Sequence, residues 1–190
     1  MSRLTSQQFD QAVAKCKDIF LKKMKDYGTA WRILRPSSLT DQIFIKAQRI
    51  RSIEDKKTQK ILESVESEFI GIINYAGIAL VQLSLPENAP LELEADDSLQ
   101  MFERELMAAK SLMMDKNHDY GEAWRDMRIS SMTDLILMKL LRIKQIEDNK
   151  GATISSEGVE ANYYDIINYA VFALIKIDEE QVNSSKSINK

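Results

Sequence analysis

Cysteine, proline and glycine are all scarce in this 190-residue chain, at one, three and six residues. The single cysteine, Cys16, excludes a disulfide framework and a thiolate-built zinc site. It fits a reducing compartment, and a cytoplasmic protein is the expectation. With so few helix breakers and a wealth of helix formers, the chain reads as all-α. Charge of one sign is not in excess either: 26 basic residues stand against 29 acidic ones, a net charge of −3. That leaves no electrostatic case for nucleic acid or a membrane surface as a partner. Met1 to Phe9 is polar and offers no signal-peptide core. The longest apolar stretch, Phe69 to Leu85, is interrupted by Asn74 and Gln82 and reads as too short and polar for a membrane span.

What the chain does have is a segment written twice. Asp26-Tyr27-Gly28-Thr29-Ala30-Trp31-Arg32 returns 93 residues later as Asp119-Tyr120-Gly121-Glu122-Ala123-Trp124-Arg125. Of the 30 positions from Asp26 to Asp55, 18 are identical in Asp119 to Asp148, so the chain is an internal duplication. Repeat 1 is placed at 1–85, a linker at 86–97, repeat 2 at 98–178 and a flexible tail at 179–190.

Apolar spacing places three helices in each repeat. In repeat 1 they run from Gln7 to Lys25, Leu39 to Lys57 and Lys60 to Leu85; in repeat 2, from Asp97 to Asn117, Ser131 to Lys150 and Glu157 to Ile177. Gly28 and Gly121 stop the first helix of each set. Ser38 and Ser131, each with an acid three residues on, read as helix starts. One extra residue before the third helix shifts its alignment to an offset of 94, so that Asn74 matches Asn168 and Gly71 matches Asp165. Three helices cannot cover their own apolar faces, and two copies packed about a pseudo-twofold axis can. The expected fold is one six-helix bundle, and homodimerisation is compatible with it.

Polar residues interrupt the apolar faces at matched places. Lys46 and Arg49, and their counterparts Lys139 and Arg142, fall on or beside the buried face of the second helix of each repeat. Either they bind an anion, most naturally a phosphate, or they pair with acids of a neighbouring helix. On the sixth helix Glu157, Asp165 and Asn168 share a sector of about 80°, with Glu160 on its flank. Oxygen ligands so arranged suit Mg²⁺; a solvated acidic face is the plainer alternative. Because Gly71 replaces Asp165 in repeat 1, repeat 2 is expected to carry the working site. Glu68, matched by Asn162, allows a composite site across the axis. Arg32 and Arg125 lie beside Trp31 and Trp124, with Tyr27 and Tyr120 nearby. A base stacked on Trp124 or Tyr120, with Arg125 and Arg32 on phosphates, is chemically coherent; aromatics closing the bundle end are the simpler account. His118 pairs with no nucleophile in the sequence, and Cys16 reads as core.

Lys46-Ala-Gln-Arg49-Ile50, followed by Asp165-Ile-Ile-Asn168-Tyr169-Ala170, is similar to the nucleotide modification associated domain 1 family, over both copies. A more distant resemblance is to the all-α nucleoside triphosphate pyrophosphohydrolases of the MazG and dimeric dUTPase type. That resemblance implies Glu157, Glu160 and Asp165 around Mg²⁺, a nucleoside triphosphate as substrate and Lys139, Arg142, Lys46 and Arg49 on its phosphates. The chain departs from it where Asn162 breaks the Glu-x-x-Asp spacing and where cations replace acids on the second helices. The expectation is a nucleotide-binding protein with pyrophosphohydrolase activity; the alternative is a non-catalytic helical module whose charges satisfy one another.

Overall fold

The computed structural model describes residues 3–58, 63–151 and 157–188. It contains six α-helices: α1 (Arg3–Tyr27), α2 (Pro36–Lys56), α3 (Val65–Ser84), α4 (Ala95–Tyr120), α5 (Ile129–Asp148) and α6 (Val159–Ile188). Two short 3₁₀ turns, Ala30–Ile33 and Ala123–Asp126, sit at the duplicated Trp-Arg segments. No strand occurs among the described residues. α3 and α6 pack against each other at the centre; α2 and α5 flank them and meet across the axis, and α1 and α4 cover the other side.

α3 and α6 are central because they are apolar on nearly every face. Phe69, Ile72, Ile73, Ala76 and Ala79 on α3, and Ile166, Ile167, Ala170, Val171, Ala173 and Leu174 on α6, are fully buried. Burying each large aliphatic side chain contributes about 1.5–3 kcal/mol, and this shared core makes the two repeats one unit. α3 starts four residues earlier than the apolar run of the sequence and is long and apolar enough to cross a membrane, contrary to the expectation. Within this fold 56% of its most apolar window is buried against protein.

The pseudo-twofold is visible in reciprocal contacts. Thr40 Oγ1 donates to Glu147 (2.8 Å), and its counterpart Thr133 Oγ1 donates to Glu54 (3.1 Å). Arg51 pairs with Asp134 at 3.4 Å, and Lys144 with Asp41 at 2.5 Å. Lys17 pairs with Glu103, and Lys110 with Asp10. Asn74 Nδ2 donates to the Cys16 carbonyl of α1 (3.1 Å), as Asn168 Nδ2 does to the Ala109 carbonyl of α4 (3.0 Å). The Asn74 and Asn168 bonds repeat within each copy, whereas the Thr–Glu, Arg/Lys–Asp and Lys–Glu/Asp pairs cross between copies and are made twice with the copies exchanged, which is what a homodimer interface becomes after fusion.

Several boundaries differ from those expected. α2 starts at Pro36, with Arg35 as N-cap and no side-chain cap bond. Proline's fixed φ and missing N–H suit a first helical position, so Ser38 lies inside the helix; Ser131 likewise lies inside α5. Ser64 is the working cap, accepting from the Ser67 amide at the head of α3. The expected start of the third helix at Lys60 lies outside the described residues. The stretch expected as a flexible tail is helical to Ile188. Its first turn is tied back by Asp178 to Lys15 (2.7 Å) and by Glu179 to Gln8 (2.7 Å) and Arg125 (3.1 Å). The stops behave as expected: Gly28 and Gly121 take positive φ, 55° and 62°, where a side chain would be strained.

Candidate functional site

The matched second helices aim Lys46 and Lys139 toward the third helix of their own repeat, and each meets an acid there, one helical turn apart in the two copies. In repeat 2, Lys139 Nζ lies 2.6 Å from Asp165 Oδ2. The other oxygen, Oδ1, accepts from Lys116 of α4 at 2.5 Å. Asp165 and Lys139 are 6% and 8% exposed, so this is a buried ionic cluster. Burial lowers the pKa of the Lys116 ammonium, but the Asp165 bond and the negative charges of Asp165 and Glu157 outweigh it, leaving it above the usual lysine value.

In repeat 1 the acid is Glu68, 3% exposed. It accepts from Lys46 at 3.2 Å and pairs with Arg49, which also reaches Glu63 (3.3 Å). Gly71 stands where Asp165 would be, and the Lys46 side chain lies across it: a Cβ at residue 71 would fall 2.8 Å from Lys46 Cδ and Cε. The acid has moved back one turn, and the wall at residue 71 has lost its side chain.

Beside that wall repeat 1 opens a cleft of about 510 Å³, within the usual range for small-molecule sites. Phe20, Tyr27, Trp31 and Tyr75 contribute aromatic surface, and Lys23, Lys46, Ser67, Glu68 and Asn74 contribute polar groups. The Lys46 ammonium lies 6.0 Å from the centre of the Tyr75 ring. Two atoms of lining residues, Trp31 Nε1 and Asn74 Oδ1, are buried with no hydrogen-bond partner in the protein, a costly state. Their counterparts Trp124 Nε1 and Asn168 Oδ1 are also unpartnered, so the pattern was inherited by both copies. The surroundings differ. In repeat 2, Phe172 replaces Ile78 and stacks on Trp124, with ring centroids 4.2 Å apart and planes 3° from parallel. Trp124 is thereby buried, whereas Trp31 is only half-buried.

Several expected site residues are employed elsewhere. Glu157 and Glu160 are exposed near the start of α6, both Asp165 oxygens are held by lysines, and the Asn168 amide donates to α4. Among the described residues no three His, Cys, Asp or Glu side chains converge as a metal site would require. The expected Mg²⁺ set of Glu157, Glu160, Asp165 and Asn168 therefore does not fit this geometry. The composite site fails for the same reason, since Glu68 and Asp165 are each held by cations of their own repeat.

Lys139, expected on phosphate, is committed to Asp165, and Arg142 is exposed on α5. Arg32 is a clamp on the inter-repeat linker: it donates to the carbonyls of Ala89 (3.1 Å) and Pro90 (3.2 Å) and to Gln82 Oε1 (2.5 Å). Arg125 joins α1 to α6 through Thr5 (2.6 Å), Gln8 (2.9 Å) and Glu179 (3.1 Å). Trp124 is sealed against Phe172, and Tyr120 is 73% exposed. His118 contacts only the adjacent Asp119 among the described residues. Burial pushes the Cys16 thiol up to about 12, so it is an inert core group. The residues that matter in their place are Lys23, Phe20, Tyr75 and Lys116. The signal that could have found the two lysines is that Lys23 and Lys116 match at the offset of 93.

Comparison with known sequences accounts for both halves. No curated protein and no solved structure matches the chain. The sequence profile of the nucleotide modification associated domain 1 family matches twice, over residues 23–83 and 116–177, once in each repeat and over most of the chain. These spans run from the end of the first helix of each repeat through its third and contain Lys23, Lys46, Glu68 and Gly71 with their counterparts; the chain belongs to the nucleotide modification associated domain 1 family, carried twice.

Proposed function

We propose that the chain is a nucleotide-binding protein and that its site is the repeat 1 cleft. The carrying observation is one open cleft whose wall combines aromatic side chains, Phe20, Tyr27, Trp31 and Tyr75, with the polar groups of Lys23, Ser67 and Asn74. A nucleobase offers such a wall a planar face to stack and a rim of acceptors and donors for its polar groups. Lys23 and Lys46 line the cleft with Glu63 and Glu68, and since Lys46 and Arg49 hold those two carboxylates, Lys23 is the lining cation left to meet an anionic group. The family's link to nucleotide modification agrees with this ligand class.

Pyrophosphate hydrolysis is the more specific expectation for such a fold. It would need a metal held by converging acids, and the acids of α6 point elsewhere. We therefore read the site as a binding cleft and derive no hydrolytic step. Differential scanning fluorimetry of the full chain against ribo- and deoxynucleoside mono-, di- and triphosphates tests this, with pyrophosphate release followed in parallel with and without Mg²⁺. Binding shows as a rise in melting temperature that grows with ligand concentration and is lost in Trp31→Ala. No rise with any nucleotide at millimolar concentration contradicts the proposal; pyrophosphate release restores hydrolysis as the function.

A further inference from the structure

The duplication places two versions of one site side by side, and one of them is already filled. In repeat 2 a carboxylate sits between two lysines, Lys139 (2.6 Å) and Lys116 (2.5 Å). The counterparts of those lysines in repeat 1, Lys46 and Lys23, both line the cleft beside Gly71, and the Lys46 side chain lies across the space that a side chain at residue 71 would take. Glu68 holds Lys46 from the neighbouring turn, so its ammonium keeps a partner although residue 71 carries no acid.

We propose that Asp165 is a built-in stand-in for ligand, and that its carboxylate marks the place of the ligand's anionic group in repeat 1: beside Gly71, at Lys46 and Lys23, with the flexible Lys46 chain drawn off the glycine to meet it. The ligand is a nucleoside monophosphate. This rests on the cleft reading above and makes it specific. One carboxylate occupies the equivalent position in repeat 2, so the position takes one anionic group. A monophosphate brings about −1.5 to −2 charge at neutral pH, and the two lysines that would face it, Lys46 and Lys23, match the two that hold Asp165. The further phosphates of a triphosphate would need cations or a metal that the cleft's described residues do not supply. The aromatic wall tells the same story: in repeat 2, Phe172 takes the face of Trp124, whereas in repeat 1 Trp31 lines the open cleft.

The test converts one repeat into the other. The double substitution Glu68→Asn with Gly71→Asp gives repeat 1 the residues of repeat 2 at both positions and keeps the net charge. Isothermal titration calorimetry on the full chain would use the four deoxynucleoside 5′-monophosphates, their parent nucleosides and the corresponding triphosphates. The wild type should bind at least one monophosphate about tenfold or more tighter than its nucleoside, the usual size of a charge-assisted hydrogen bond. The exchanged protein should bring the two to the same level. Lys23→Met, a change at an exposed residue that folding tolerates, should weaken the monophosphate about tenfold and leave the nucleoside unchanged. A folded exchange variant that keeps the preference overturns the inference; if that variant does not fold, unchanged monophosphate affinity in Lys23→Met overturns it. A triphosphate that binds tighter than its monophosphate overturns the choice of ligand. Equal binding of nucleoside and monophosphate by the wild type removes the anion position and leaves the cleft reading intact. No binding of any of these compounds removes the cleft reading itself.

Discussion

Removing Asp165 should leave Lys139 as a buried cation without its carboxylate. Lys139 is 8% exposed and Asp165 6%, and breaking such a pair from one side costs about 3–5 kcal/mol. The lower end applies here. Lys116 keeps 42% of its side chain in solvent and can turn to water, so the stranded charge is chiefly that of Lys139. Asp165→Ala should therefore lose about 3 kcal/mol in urea unfolding. At about 2–4 °C per kcal/mol for a chain of this size, the melting temperature should fall by roughly 6–12 °C. Joined to Lys139→Met, most of the cost should vanish, because the stranded buried charge is removed along with its partner. The cycle Asp165→Leu, Lys139→Met and both together should show a coupling of about 2 kcal/mol. A loss below about 1 kcal/mol for Asp165→Ala, or additivity in the cycle, would refute the reasoning: the cluster would then be wet and the two lysines independent of the acid.

Two further predictions concern contacts that join the repeats. Arg32→Ala removes the clamp on the linker carbonyls of Ala89 and Pro90 and on Gln82; it should cost about 2–3 kcal/mol and speed cleavage at residues 86–94 in limited proteolysis, and an unchanged digestion pattern would argue against a clamp. Glu54 and Glu147 have carboxyls lifted above the usual glutamate value, chiefly by lost hydration, with the Thr133 and Thr40 hydroxyls pulling the other way. The folded state thus binds their protons more readily than the unfolded state does. The cost of keeping them ionised is present in full above the raised values and fades as pH falls below the usual value, near about 4.3. Glu147→Gln keeps an acceptor for Thr40 and should raise the melting temperature at pH 7.5, with the gain gone near pH 4; a gain that persists at pH 4 would contradict the assignment.

The duplication, the six helices and the pseudo-twofold were legible because 18 identities at one offset leave a single alignment, and because the apolar faces repeat with it. The position that separates the copies, Gly71 against Asp165, was legible too, but its meaning came out reversed. Asp165 reads in sequence as a ligand gained; in space it is a plug, because Lys116 comes from α4, 49 residues away, and meets it beside Lys139. Gly71 reads as a site lost, yet it lines the open cleft, with the flexible Lys46 chain lying across it. Periodicity places Lys139 on a buried face but cannot say which acid of another helix lies opposite. It likewise cannot show that Arg32 and Arg125, equivalent in the repeat, go to different partners, one to a linker that exists only after repeat 1 and the other to α1. The tail was misjudged on composition: Asn, Ser and Lys look unstructured, yet Ser184 and Ser185 bond back to carbonyls one turn earlier and the helix continues.

The protein contains two tryptophans, one in each repeat, and their indole N–H groups report the two sites separately. A ¹H–¹⁵N correlation spectrum of the uniformly labelled full chain should show two indole signals, assigned with Trp31→Phe. On titration with a nucleoside monophosphate, the Trp31 signal should move saturably, because Trp31 lines the open cleft, while the Trp124 signal, sealed against Phe172, should stay in place. A Trp31 signal that does not move with any nucleotide, or a Trp124 signal that moves alone, contradicts the assignment of the site to repeat 1.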